Sequence, residues 1–245
     1  MGMLVEGKWC EQDRIIEDGA YRRPESGYAE PLEGAVLNAL NGEPGRFHLI
    51  ASMSCQWSHR VMILRRIKGL QYRVTLHIAH GSRVQGYAIN GGKPWRVPGG
   101  DNLIIHLHQL YTLNEPEFTG RVTVPVLWDS QQKQIVSNES ARIVAAFDVL
   151  EPNSGSPEFT LFPNGLAKDI ESINEAIYRR LSNGVYRAGF AESQVAYDAA
   201  IEDVFGMLDE LEARLARRRY LFGDIITAAD WMLFPTLVRF DPVYY

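Results

Sequence analysis

The sequence predicts an α/β domain built on one mixed sheet, followed by an all-helical domain. Three observations carry that reading. Strand-period and helix-period runs alternate between about residues 46 and 150, and the last two strand runs lie close enough to form a hairpin. After the stretch "EPNSGSPEF" (Glu151 to Phe159) the strand signals largely disappear.

The 245 residues suffice for one large domain or two ordinary ones, and the 46% apolar and 22% charged shares are those of a soluble globular protein. A formal charge of -5 argues against a general nucleic-acid or anionic-membrane binder, which needs clustered positive charge. The one dense basic run, "RLARRRY" (Arg214 to Tyr220), follows a helical pattern and reads as cations near a negative helix C-terminus. Two cysteines, Cys10 and Cys55, with no C-x-x-C pair and no secretory leader, point to a reducing compartment, so a cytoplasmic location is expected. No apolar run approaches the roughly 20 residues needed to cross a bilayer.

Residues 1–45, with "RRPES", "EPLEG" and "NGEPG", read as an irregular arm. "RFHLIAS" (Arg46 to Ser52) has the apolar density of a buried strand, and "HRVMILRRIKG" suits a helix stopped by Gly69. "QYRVTLHIA" alternates Tyr72, Val74, Leu76 and Ile78 with polar residues, which is strand periodicity. A glycine-rich loop (81–100) precedes Asp101, read as the N-cap of a helix carrying Leu103, Ile104, Leu107, Leu110 and Tyr111. "VTVPVLWD" and "QIVS" form the hairpin, and "NESARIVAAFDVL" resumes helical spacing. The order is β-α-β-α-β-β-α. Strands joined through a helix run parallel by right-handed crossover and the hairpin is antiparallel, so residues 46–150 are expected to form a thioredoxin-like domain.

Residues 151–163 read as a linker and 164–245 as the helical domain. Leu166, Ile170, Ile173, Ile177 and Leu181 mark one amphipathic helix, and Val204, Leu208, Leu211 and Leu215 another. Thr227 and Asp230 in "IITAADWMLF" have the spacing of a capping box, flanked by Ile226 and Trp231 as a hydrophobic staple. This box is a folding device.

Chemistry concentrates at Cys55. It falls between a strand and a helix, where unpaired amides and the helix dipole favour negative charge, and a thiolate is such a charge. A packed structural thiol is the alternative. His59, four residues on, shares its helix face, but a metal needs three or four ligands and His106 and His108 lie two apart on a helix, pointing different ways, so no metal site is expected. With Cys10 in the distant arm, a mixed disulfide at Cys55 needs an external thiol to resolve it, and the abundant cytosolic one is glutathione.

Pro125, inside "VTVPVLW", is out of place in a central strand and is expected to follow a cis bond, leaving Val124's backbone free to pair with an extended peptide ligand. In "NES" (Asn138 to Ser140), Ser140 with backbone amides suits a carboxylate and Glu139 an ammonium, as in a γ-glutamyl group. Ordinary capping by Asn138 competes with that reading.

From about Gly45 onward the chain resembles the glutathionyl-hydroquinone reductases, or Xi-class glutathione transferases. The resemblance rests on "CQWSHR", where the family has C-P-W-A-H-R, and on "TGRVTVPVLWD", "SNES", "NGVYRAGFA" and "ADWMLFPTLVRFDPVYY", in order at similar spacing. It implies a thioredoxin-like domain and a glutathione-transferase-type helical domain, with Cys55 as nucleophile and glutathione as co-substrate. Arg121, Val124, Glu139, Ser140 and, with a tryptophan replaced, Tyr87 would hold glutathione. Tyr186 and Tyr244 would face the aromatic substrate. Gln56 stands where the family has proline, giving up a φ constraint suited to the first helical turn. The family continues beyond "FDPVYY" through helices that close the bundle and carry much of its dimer contact. The resemblance therefore implies a helical domain incomplete at its C-terminus and, if this is the complete product, marginal stability and weak activity, with a homodimer expected of the full-length form. Rival readings are an Omega-like thiol transferase or dehydroascorbate reductase using the same cysteine, and an inactive glutathione-binding fragment.

Overall fold

The computed structural model describes residues 2–11, 15–81, 83–152 and 159–245. The chain divides into two compact units, Met1–Asp13 with Glu25–Glu158, and Arg14–Pro24 with Phe159–Tyr245.

The expectation of an irregular N-terminal arm is corrected. Strands β1 (Met3–Val5) and β2 (Lys8–Cys10) form one hairpin, and β3 (Ile15–Glu17) and β4 (Ala20–Arg22) another. Each turns on two residues with positive φ, Glu6 and Gly7 at 48° and 73°, and Asp18 and Gly19 at 50° and 75°. That geometry matches the twist of paired strands, and "DG" is a strong hairpin signal that proline-based reading passes over. The first hairpin belongs to the first unit and the second to the helical unit. Between Pro31 and Arg46 the arm also holds a helix, α1 (Ala35–Gly42), which buries Ala39 and Leu40.

The first unit continues as β5 (Phe47–Ala51), α2 (Gln56–Ile67), β6 (Val74–Ile78), β7 (Trp95–Arg96), β8 (Leu103–Ile104), α3 (Leu107–Asn114), β9 (Gly120–Arg121), β10 (Val126–Asp129), β11 (Gln134–Ser137) and α4 (Ser140–Val149). The main sheet runs β11-β10-β5-β6, with β5 parallel to β6 across the α2 crossover and β10 antiparallel to both β5 and β11. This is the mixed thioredoxin-like sheet that the alternation of periods predicts. Phe47, Leu49, Ile50, Val61, Leu64, Val126, Leu127, Ile143, Val144 and Phe147 are fully buried between the sheet and its helices. Gly69, at φ 69°, follows the end of α2 in the left-handed conformation that closes helices. Helices α2 and α4 lie against one another.

Asp101 is not a helix cap. Leu103 and Ile104 pair with Arg96 and Trp95 as an antiparallel ribbon, and α3 begins only at Leu107. The Gln109 side chain decides that boundary, because its Oε1 accepts from the amides of Ile105 and His106 at 2.8 and 2.9 Å and satisfies donors that the helix start would otherwise orphan. His106 thus precedes the helix, and its ring stacks on His108 at 5.7 Å and 8° rather than pointing apart.

Arg46, just before β5, and Asp129, at the end of β10, join the two inner strands of the sheet through paired bonds of 2.9 and 2.5 Å. Burial works to raise the Asp129 carboxyl, but the Arg46 bonds and the amides of Gln132 and Gln131 outweigh it and hold the carboxyl below its usual range.

In the second unit, α5 (Ala167–Ala176) runs into a π-helical segment at Ile177–Ser182, so the expected single helix through Leu181 changes its winding at Ile177. Then come α6 (Gly184–Gly189), α7 (Gln194–Leu215), α8 (Ala228–Leu237) and a second π-helical segment, Phe240–Tyr244. Ile177, Leu181, Val185, Val204, Met207, Leu211, Leu221, Ala229 and Leu233 form the core. The Thr227 capping box is present, with Asp230 Oδ2 accepting from the Thr227 amide at 2.9 Å. Arg214, from the basic run, lies in the last turn of α7 and donates to the Leu221 carbonyl at 2.7 Å. The hairpin β3–β4 seals one side, with Tyr21 edge-on to Phe190 at 5.3 Å and the Glu192 amide donating to the Gly19 carbonyl at 2.8 Å. Of the expected linker 151–163, residues 153–158 lie outside the described residues.

Candidate active site

Cys55 is the N-cap of α2, with extended backbone at φ -91° and ψ 121°. Two short-range bonds shape the loop that carries it. The Cys55 amide donates to the Ser52 carbonyl at 3.1 Å, and the Ser52 amide donates to the Ser58 hydroxyl at 3.2 Å, which folds the loop back over the first helical turn. Cys55 is 8% exposed, and its Sγ lies 3.5 Å from the Val124 carbonyl oxygen. The Val124–Pro125 bond is cis. Gln56 occupies the first helical position and is buried.

Two hydrogen-bonding systems position the segment "NES". Glu139, not Asn138, caps α4, its Oε1 accepting from the Ala141 amide at 3.1 Å and its Oε2 from the Ser26 hydroxyl at 2.9 Å. Asn138 instead holds the arm, exchanging bonds of 3.0 Å with the backbone of Tyr28. Its amide nitrogen also donates to the buried Tyr111 hydroxyl, which donates to the Thr123 carbonyl at 3.1 Å. Burial pushes the Tyr111 phenol above its ordinary value, so this hydroxyl keeps its proton and its donor role.

Arg60 is the member that sequence reasoning missed. It sits inside "CQWSHR", five residues after Cys55, and is 6% exposed. Its Nε donates to the Ser140 hydroxyl at 3.0 Å, a second guanidinium nitrogen donates to the same oxygen, and Glu139 Oε1 is 3.8 Å away. Its sequence signals are its place in that motif and a charge on the buried side of α2.

The remaining expected residues lie on other elements. Tyr87 lies after β6, its ring beneath the Arg83 guanidinium at 4.5 Å, and the two line a cleft of about 280 Å³ with Ser52, Ser54 and His80. Arg121 is on β9, opposite Met3 of β1. Tyr186 and Tyr244 belong to the helical unit, where their rings meet edge to face at 5.9 Å and Arg23 lies 5.3 Å over Tyr186. The first unit therefore brings Cys55 against Val124, and Glu139 and Ser140 against Arg60. Among the described residues no group of three or more histidine, cysteine, aspartate or glutamate side chains is placed to hold a metal ion, and no helix is long and apolar enough to cross a membrane.

Cys55 thus stands at a helix start, where unpaired amides and the helix dipole favour a negative charge. Comparisons with known proteins identify the family. Residues 54–150 match the family model of the glutathione S-transferase N-terminal domain, and residues 194–245 that of the C-terminal domain. The chain is 39% identical over its whole length to glutathionyl-hydroquinone reductase PcpF of Sphingobium chlorophenolicum, covering 78% of that protein. It is also 39% identical to glutathionyl-hydroquinone reductase YqjG of Escherichia coli K12, again over all of the chain and 77% of the relative. An omega-like glutathione S-transferase of Schizosaccharomyces pombe is 35% identical over 95% of the chain and 76% of its own length. Among solved structures, a Xi-class enzyme from Natrialba magadii superposes with a TM-score of 0.83 at 35% identity, covering 100% of this chain and 74% of that one. Glutathione-bound YqjG superposes at 0.78 and 38% identity, over 99% and 76%.

Proposed function

This chain belongs to the Xi-class glutathione transferases, the glutathionyl-hydroquinone reductase family of glutathione-dependent oxidoreductases, and from that premise we propose that it reduces glutathionyl-hydroquinones through Cys55. The observation that carries the proposal is the place of that thiol, at the N-cap of α2 and against the carbonyl of Val124.

The Cys55 thiolate attacks the sulfur of the conjugate. An S–S bond forms as the carbon–sulfur bond breaks, its electron pair goes to the ring carbon, and that carbon takes up a proton to give the free hydroquinone. Cys55 is left in a mixed disulfide with glutathione. A second glutathione thiolate attacks the glutathionyl sulfur, regenerates the Cys55 thiolate and leaves as glutathione disulfide, so one conjugate and one glutathione become one hydroquinone and one disulfide.

Val124 pairs through its backbone with the peptide portion of glutathione, in the manner of strand addition. Glu139 takes the γ-glutamyl ammonium, and Ser140 with the first amides of α4 takes its carboxylate. Arg121 and Tyr87 complete the glutathione set. Tyr186 and Tyr244 recognise the aromatic portion, and the Tyr186 hydroxyl hydrogen-bonds or protonates a phenolic oxygen. The proposed setting is the cytoplasm, with no metal, and the full-length family form is a homodimer in this reading.

The match to an omega-like transferase favours a second reading, in which the same cysteine reduces general mixed disulfides or dehydroascorbate. Intact-protein mass separates the two. Adding a glutathionyl-hydroquinone without free glutathione is expected to add one glutathionyl group, about 305 Da, to the natural chain and none to Cys55→Ala, with hydroquinone released. Adduct formation from a small glutathionyl disulfide but not from the hydroquinone conjugate would move the assignment to the omega-like activity.

A further inference from the structure

We propose that Arg60 is a positioning residue for the glutathione site, acting by holding the Ser140 hydroxyl in one orientation. The inference rests on the reading above that Glu139 and Ser140 receive the γ-glutamyl group.

Arg60 belongs by sequence to the nucleophile's helix, yet its guanidinium ends at the start of α4. A side chain that carries a permanent charge and is 6% exposed needs its partners there. The Trp57 ring covers the cation at 4.9 Å.

A serine hydroxyl has one proton to give and two lone pairs to receive with. Two nitrogens of the Arg60 fork donate to Ser140 Oγ and fill both lone pairs, so the single Ser140 proton points away from Arg60. Ser140 Oγ makes a long bond of 3.5 Å to Glu139 Oε1, an oxygen already engaged by the Ala141 amide. A carboxylate arriving at the first turn of α4 therefore meets a hydroxyl already turned to donate, beside the helix's own amides. The rotor freedom has been removed before binding, and the adjoining cation polarises the O–H toward the ligand. Lysine cannot reproduce this, because an ammonium is a point donor without the planar fork.

The test is a double-mutant cycle on glutathione affinity, by calorimetry, over the natural chain, Arg60→Lys, Ser140→Ala and the double variant. Arg60→Lys is expected to weaken glutathione binding about tenfold, the size of losing one charge-assisted hydrogen bond, and to cost nothing further once Ser140 is alanine. In turnover its KM for glutathione rises while kcat at saturation holds, the sign of lost binding rather than lost chemistry. Arg60→Lys binding glutathione within about twofold of the natural chain, or losses that multiply in the double variant, would overturn the proposal. Should Arg60→Lys lose its native circular dichroism, Ser140→Ala decides alone, since natural affinity in that variant removes the route by which Arg60 acts. A natural chain that binds no glutathione fails the functional reading itself, whereas binding with an additive cycle sinks only the role of Arg60.

Discussion

Asn138 donates through its side-chain nitrogen to the Tyr111 hydroxyl at 3.0 Å, and through that one oxygen the turn bearing Val124 is tied to the helix start bearing Glu139 and Ser140. The Tyr111 hydroxyl is buried, accepts from Asn138 and donates to the Thr123 carbonyl. It spaces the two segments that the proposed function assigns to the two ends of glutathione.

Tyr111→Phe should therefore leave the Thr123 carbonyl and the Asn138 amide short of a partner inside the first unit. The expected loss is about 1–3 kcal/mol of stability, the cost of stranding buried polar groups. Urea unfolding measures it, and a midpoint equal to that of the natural chain would show that the two segments are held by other contacts. Glutathione affinity is expected to fall in the same variant.

Acid should weaken the fold through two buried histidines. His48 Nδ1 and His77 Nε2 are 3.0 Å apart across β5 and β6. Burial, then the neighbouring His48 and Arg65, hold the His77 imidazole down to about 4 from an ordinary 6.5. Burial also lowers His48. Both folded-state values are depressed, so the unfolded chain takes up protons that the folded chain refuses. Stability is full above about pH 6.5 and falls as the pH drops toward 4. Denaturation midpoints at a series of pH values check this. His77→Gln should flatten the slope between pH 6.5 and 4.5, and an unchanged slope would assign the acid sensitivity elsewhere.

Gly19 should not tolerate a side chain. It stands at φ 75° in the β3–β4 turn, and a Cβ there would come within 2.6 Å of the Ser193 side chain, at the cap of α7. Gly19→Val combines left-handed strain with that clash and is expected to destabilise the helical unit by roughly 1–3 kcal/mol. Limited proteolysis should then cut the second unit faster than in the natural chain. Equal cutting rates would make the N-terminal hairpin dispensable to that unit.

Most of the alternation of strands and helices between Arg46 and Val149 was legible because the inner strands are short, mostly apolar runs, almost wholly buried, and the helices show their own period. The same holds for the Thr227 capping box, whose partners lie three residues apart, and for Gly69 at the end of α2. The errors lie where a distant or unconsidered partner decides. Leu103 and Ile104 have helical spacing, but Trp95 and Arg96 take them into a ribbon and Gln109 delays the helix to Leu107. Asn138 has the chemistry of a cap, but Tyr28 and Tyr111 engage it and the cap passes to Glu139.

By itself the sequence determined the main β-α-β-α-β-β-α succession of the first domain, the placing of a lone thiol at a strand-to-helix corner and the family motifs, all of which are local patterns of periodicity and spacing. Only the tertiary structure decided that the arm splits into two hairpins serving different units. It also decided that Arg60 of the nucleophile's helix serves Ser140, 80 residues away in the chain. A buried charge finds its partner through the packing of α2 on α4, and no period along the chain encodes which helices will touch.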